Sequence, residues 1–251
     1  YGIYAVSPPR GSEERTAGSG DTGRGAGLAG AGLTGADRAR LAAALLAGST
    51  DAVVSGRWAA DLLGLPVVLG PGADRARRAP LLLLPGSAGG KEGRRRDGVL
   101  ARRGRLRDDE IVVVDGVAVT SPLRTAIEVA RTLPPRFGVV PLDAAMHAAH
   151  PTAARGDRAA LAHAREALAE LLGRQAGTVG IGQLRTTAGL ADPRAESPLE
   201  SVSCVVVVEA GLPAPEPQVR LRGVFGEEYW GDLGWPHYAL VGECDGWGKY
   251  G

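Results

Sequence analysis

Aromatic residues make up only 4% of this 251-residue chain, and it carries just two cysteines, two phenylalanines and one methionine. Two thiols, Cys204 and Cys244, cannot build the disulfide framework of a small secreted domain, and they fall at no zinc-ligand spacing. A reducing, cytoplasmic setting is therefore expected, with both thiols buried inside apolar runs. No stretch approaches the roughly 20 apolar residues of a membrane-spanning helix, and no signal peptide opens the chain, so no membrane partner is expected. No charge sign dominates either. The formal net charge is +1, which leaves no global field to draw in nucleic acid, so any basic surface has to be local.

Against these absences stand 44% apolar and 23% charged residues, near ordinary globular values and enough for two domains or one large one. Tyr1–Val6 alternates as a strand and is broken by Pro8-Pro9. Residues 10–36 are Gly, Ala, Ser and Thr with little to bury, the composition of a flexible linker. From Asp37 a strong helix former runs to Ala47 and stops at Gly48. Ser55 reads as the N-cap of a short helix over Gly56–Leu63, ended by Gly64. The runs Leu65–Leu69, Leu81–Leu84, Val99–Ala101 and Ile111–Val114 read as strands, and Asp115-Gly116 before Val117–Val119 is a hairpin signal. Thr120-Ser121-Pro122 opens the next helix, with proline where its missing N–H is harmless. Arg124 offers that helix a guanidinium to tie it to an acid such as Asp143. Helices follow over residues 137–150 and 157–173, and a short one between Gly177 and Leu190.

Two clusters in this middle region have competing readings. Arg94, Arg95, Arg96, Arg102, Arg103, Arg105 and Arg107 suit either phosphate contact or a charged strand edge that blocks aggregation. The interspersed acids and the lack of aromatics favour the edge. His147 and His150 are spaced to share a helix face, but with His163 they form no recognised ligand set, so surface or turn histidines are expected.

The last fifth of the chain carries the chemistry. Asp192-Pro193 marks a turn, and a helix opens at Ser197-Pro198 and carries Glu200. Its run Val205–Val208 is a poor helix sequence, with a strand as the local alternative. Glu196 and Glu200 are four apart and share a face. Acids then punctuate apolar strands: Gly231-Asp232-Leu233, and Glu243-Cys244-Asp245 after a run from Tyr238 to Gly242 that is apolar or small on both parities, as in a central strand. Alternation places Glu243 and Asp245 on one side and Cys244 on the other. Two like charges at about 4 Å repel by roughly 4 kcal/mol at an effective dielectric of about 20, so such acids call for a shared proton or a hard cation. Clustered oxygens without soft ligands suit Mg2+ or Mn2+. Glu200, Asp232 and Glu243 would hold such a metal with Asp245 nearby, the metal would activate water at a phosphodiester, and Lys249 would steady the developing charge. Trp230, Trp235 and Trp247 flank the acids and suit base stacking or, more commonly, core packing.

The pattern Glu200-Ser-Val-Ser, Gly211-Leu-Pro, Pro217-Gln218, Asp232, Glu243-Cys-Asp245-Gly and Lys249-Tyr resembles the nuclease-like domain related to very-short-patch-repair endonucleases, in the PD-(D/E)xK superfamily. With Tyr1-Gly-Ile-Tyr-Ala-Val6 and Thr120-Ser-Pro-Leu-Arg-Thr125, the longer pattern resembles actinobacterial AbiEi-type antitoxins of type IV toxin–antitoxin systems. That resemblance matches Glu200, Asp232 and Glu243 to the acidic motif positions and Gln218 to the glutamine ahead of the second strand. It departs at Asp245, where the superfamily has lysine, and at Lys249, where a histidine commonly follows the Asp-Gly pair.

The resemblance implies an α/β (α+β) chain in four parts. Residues 1–9 would be the remnant of a winged-helix wing strand, 10–36 a linker, 37–191 an antitoxin-like middle domain, and 192–251 a restriction-endonuclease-like domain continuing past the last residue. It implies a DNA-associated regulator with DNA and a cognate toxin as partners and with cleavage left open. The alternative is a Mg-dependent DNA endonuclease using Glu200, Asp232 and Glu243.

Overall fold

In the computed structural model, the structure describes residues 2–5, 52–70, 81–85, 94–96 and 99–245. The linker expected over 10–36, the helix expected over 37–47, Trp247 and Lys249 lie outside the described residues. The architecture is α+β, with helices packed between two sheets of different character.

A six-stranded sheet forms first. Its strands are β2 (Val53–Ser55), β3 (Leu81–Pro85), β4 (Arg94–Arg96), β5 (Val99–Gly104), β6 (Ile111–Val114) and β7 (Val117–Thr120), in the order β4-β5-β3-β2-β7-β6. β2 runs parallel to β7 and β3 parallel to β5, while the remaining pairs are antiparallel. Between β6 and β7, Asp115 (φ 50°) and Gly116 (φ 78°) both take left-handed backbone, the conformation a two-residue hairpin matched to strand twist requires. β4, with its three consecutive arginines, is an edge strand, and Arg102, Arg103, Arg105 and Arg107 are exposed.

Helices α1 (Gly56–Leu63), α2 (Pro122–Ala130), α3 (Pro135–Ala149), α4 (Arg158–Arg174) and α5 (Ile181–Leu190) build the main core around Ile127, Leu142, Met146, Leu168 and Leu184. Trp58 of α1 packs with Val54, Leu82 and Val119 on the sheet. Ser55 precedes α1 as expected, but its hydroxyl does not cap the helix. It donates to Glu128 Oε2 at 2.5 Å, and the Gly56 N–H reaches the same oxygen at 3.1 Å.

Two expectations are corrected. Leu65–Leu69 is not a strand: Leu65 N–H closes the end of α1 on Ala60 O, proline lacks the N–H that pairing needs, and Val67 and Leu69 pack on the helical core. Arg124 does not tie to Asp143. It is 6% exposed and donates from Nη1 to Glu110 Oε2 at 2.7 Å and from Nε to Glu128 Oε1 at 3.0 Å. An i, i+4 carboxylate on its own helix and the acid at the mouth of β6 sit nearer than α3. Asp143 instead receives the Asp192 N–H at 2.8 Å.

The smaller sheet has the order β1-β10-β9-β8, from β1 (Gly2–Ala5), β8 (Glu216–Arg222), β9 (Glu228–Trp235) and β10 (Leu240–Glu243), all antiparallel. The strand expected as a wing thus lies along β10, with Gly2 opposite Glu243. Helix α6 (Pro198–Glu209) precedes this sheet. Its valine run stays helical because Val205, 1% exposed, fills a pocket with Val139 and Val140 of α3, and tertiary burial outweighs a propensity deficit of tenths of a kcal/mol per residue.

Candidate functional site

The start of α6 fixes Glu200. Ser197 Oγ, at the N-cap, accepts the Glu200 N–H at 3.2 Å while Glu200 Oε2 reaches back to the Glu196 N–H at 3.0 Å, a variant of the Ser-x-x-Glu cap in which the glutamate takes the N–H one residue ahead of the N-cap. Glu200 is 5% exposed. Burial raises its pKa; bonds from Glu196 N–H, Ser197 and Gln218 pull it back, and the charge of Asp232 adds to the rise.

Gln218 brings the next acid in. It sits mid-strand in β8 with φ 51°, a left-handed backbone that a non-glycine residue adopts at a cost of about 1 kcal/mol or more. It is 6% exposed. Its Nε2 donates to Glu200 Oε2 at 3.0 Å and, more weakly, to Asp232 Oδ1 at 3.4 Å. Asp232 Oδ2 in turn accepts the Cys244 N–H at 2.7 Å, anchoring the chain just past β10. Three elements, α6, β8 and β9, therefore meet at one amide.

Glu243 ends β10, where a Cβ placed on Gly231 would lie 3.6 Å from its Oε1 and 2.4 Å from Val241 Cγ1. Only glycine fits at that point of β9, one residue before Asp232. Glu243, Cys244 and Asp245 are each half-buried, and the last two lie beyond the strand. Burial first, then the charges of Asp232, Glu200 and Glu243, push the Cys244 thiol up to about 11; burial also drives the Cys204 thiol far above its usual value. Both cysteines are free, half-buried thiols.

The oxygen-only donor set suits Mg2+ or Mn2+. Among the described residues, however, no three His, Cys, Asp or Glu side chains are grouped to hold a metal ion. Glu200 and Asp232 are clasped by an amide, and a cation between them would require that amide to move aside.

The histidines serve elsewhere: His147 Nδ1 meets Pro193 O at 3.0 Å, and the rings of His150 and His163 lie 6.4 Å apart. Trp235, 8% exposed, donates its indole N–H to Pro213 O at 2.7 Å and belongs to the core. Sequence reasoning missed Arg155. From the 3₁₀ turn at Pro151–Arg155, its Nη1 donates to Gln218 Oε1 at 3.1 Å, its Nη2 pairs with Glu196 at 2.8 Å, and its guanidinium lies 5.3 Å from the Trp230 ring centroid. Only spacing in three dimensions reveals it, since 63 positions separate it from Gln218.

The chain is similar to two uncharacterized proteins of Mycobacterium tuberculosis, one from strain H37Rv and one from strain CDC 1551 / Oshkosh. Each is 38% identical over 132 residues, which is 53% of this chain and 44% of the relative. The chain thus spans less than half the length of these curated relatives. No family model matches, and neither does any solved structure. Among the described residues no helix is long and apolar enough to cross a membrane.

Proposed function

We propose that this protein is a cytoplasmic DNA-associated regulator of the toxin–antitoxin type, with a cognate toxin as its second partner. Its C-terminal region keeps a restriction-endonuclease-like acidic site as part of a binding surface. The supporting observation is the clasp at Gln218, which joins Glu200 and Asp232 through one amide. The carboxylate pair is met by protein donors, Gln218 Nε2 and the Cys244 N–H among them. Asp245 stands where the resembling superfamily carries lysine, which favours binding over cleavage. Fluorescence anisotropy with labelled duplex DNA tests the reading. Salt-dependent binding with no nicking of plasmid in Mn2+ is expected, and absence of binding at about 0.1 M salt would refute it.

A second reading, a Mg-dependent DNA endonuclease, draws support from the same convergence, because a helix acid and a strand acid lie within reach of one ligand. Glu200, Asp232, Glu243 and Asp245 would hold the Mg2+ or Mn2+, which would supply Lewis-acid polarisation of the phosphodiester. Lys249 would steady the charge. Nicks that Glu243→Ala abolishes would favour this reading. Equal heats of Mn2+ binding for the wild type and Asp232→Ala would discard it.

A further inference from the structure

Arg155 is placed in an unusual way for a surface cation. It belongs to a turn between α3 and α4, yet its guanidinium reaches the acidic site of the smaller sheet. Three contacts hold it there: Gln218 Oε1, the Glu196 carboxylate and the face of Trp230. Its side chain nevertheless stays 50% exposed. An exposed arginine normally samples many rotamers, and ordering it on a ligand costs conformational entropy. Here that ordering is already done within the protein.

The donor count leaves room for a ligand. A guanidinium carries five N–H groups and accepts nothing. The bonds to Gln218, Glu196 and the Ala154 carbonyl engage Nη1 and Nη2, and they do not use Nε–H. Arginine as donor also settles which end of the Gln218 amide faces it: the oxygen must, so Nε2 must face Glu200 and Asp232. The guanidinium is thus fixed against Glu196 and one amide away from Glu200 and Asp232. A phosphodiester approaching those acids meets repulsion unless a cation receives it, and a planar fork of N–H donors matches phosphate oxygens. Trp230 beneath it holds the guanidinium in place by a cation–π contact.

We propose that Arg155 is the residue through which this site holds a DNA phosphate, with Trp230 as its platform. The proposal rests on the DNA-associated reading above and names a contact within it. Each neutralised phosphate adds about 0.9 to the steepness of log K against log salt on duplex DNA. Losing one contact therefore makes the wild type lose about three- to four-fold more affinity than the variant between 50 and 200 mM salt.

The experiment is anisotropy of the 251-residue protein with a labelled duplex across that salt range, for wild type, Arg155→Ala, Arg155→Lys and Glu196→Gln. Arg155→Ala is expected to flatten the plot by about one, whereas Arg155→Lys keeps the slope at lower affinity. Glu196→Gln, which frees the guanidinium from its neighbouring carboxylate, is expected to bind more tightly and keeps the test decisive if Arg155→Ala fails to fold. A purely structural arginine would lower affinity without changing the slope. Parallel plots for wild type and Arg155→Ala, or no gain from Glu196→Gln, overturn the contact alone. No salt-dependent binding by the wild type overturns the DNA reading and the contact with it.

Discussion

Replacing Gln218 tests whether the amide or merely the strand holds the two acids together. Gln218→Leu removes the 3.0 Å bond to buried Glu200 and the weaker 3.4 Å contact to Asp232. A hydrogen bond to a charged group contributes about 1.5–3 kcal/mol, and the long Asp232 contact adds little. Arg155 also loses an acceptor, but at half exposure water replaces it. The expected loss is therefore about 1.5–3 kcal/mol, nearly all of it from Glu200. Gln218→Gly loses the same bonds yet relieves the left-handed backbone at φ 51°, which returns about 1 kcal/mol. Leucine should thus be the worse substitution by about 1 kcal/mol, although it is the larger and more apolar residue.

The loss should also depend on pH. Burial already holds the Glu200 pKa above its ordinary value, and the Gln218 amide opposes that rise. A raised folded pKa contributes stability that is present below the unfolded value and lost as pH climbs through the folded one. Without the amide the folded value rises further, so the variants should fall behind increasingly from acid to neutral pH. Urea denaturation at pH 4 and pH 7.5 measures both effects. Wild-type stability or better in Gln218→Gly at neutral pH would refute the clasp.

Arg124→Met leaves Glu128 with only Ser55 and Gly56 as partners, whereas Glu110 keeps Arg174 at 3.4 Å. A loss near the lower end of the range for a broken buried ion pair, about 3 kcal/mol, is expected in chemical denaturation, and under about 1 kcal/mol would contradict it. Asp143, 3% exposed, has its pKa raised mainly by burial, which outweighs the bonds from Ser201 and Asp192. Its share of stability is full below the ordinary carboxylate value and lost as pH rises through the folded one. Asp143→Asn should therefore flatten the stability profile above about pH 4, and thermal melts that stay parallel to the wild type from pH 4 to pH 8 would argue against it.

Much of the local structure was legible because it rests on local chemistry. The Asp115-Gly116 turn, Pro122 at the start of α2 and Gly64 past the end of α1 each act within a few residues, and each stands where the sequence indicated. Asp232 stands out as an acid within an apolar strand and Glu200 through the family resemblance, and the structure brings them to a common donor. What escaped was long-range or ambiguous at short range. Leu65–Leu69 has the composition of a strand, but packing against helices decides its course. Arg124 took Glu128, the i, i+4 acid that helix spacing offers ahead of Asp143, and Glu110, which no local spacing indicates. The Ser-x-x-Glu cap at Ser197 was readable and went unread, and it gives Glu200 a helix-stabilising duty apart from any chemistry.

The six-stranded sheet ends differently on its two sides. β4, three consecutive arginines in sequence, forms one margin, and charged residues on an edge strand disfavour the addition of a further strand. β6, on the other margin, has an exposed Val113 and no such guard along its four residues. Its protection is brevity: so short a ladder offers an incoming chain few main-chain bonds. Any insertion that lengthened the Asp115-Gly116 hairpin would remove that protection and turn the valine-rich border into a seed for self-association.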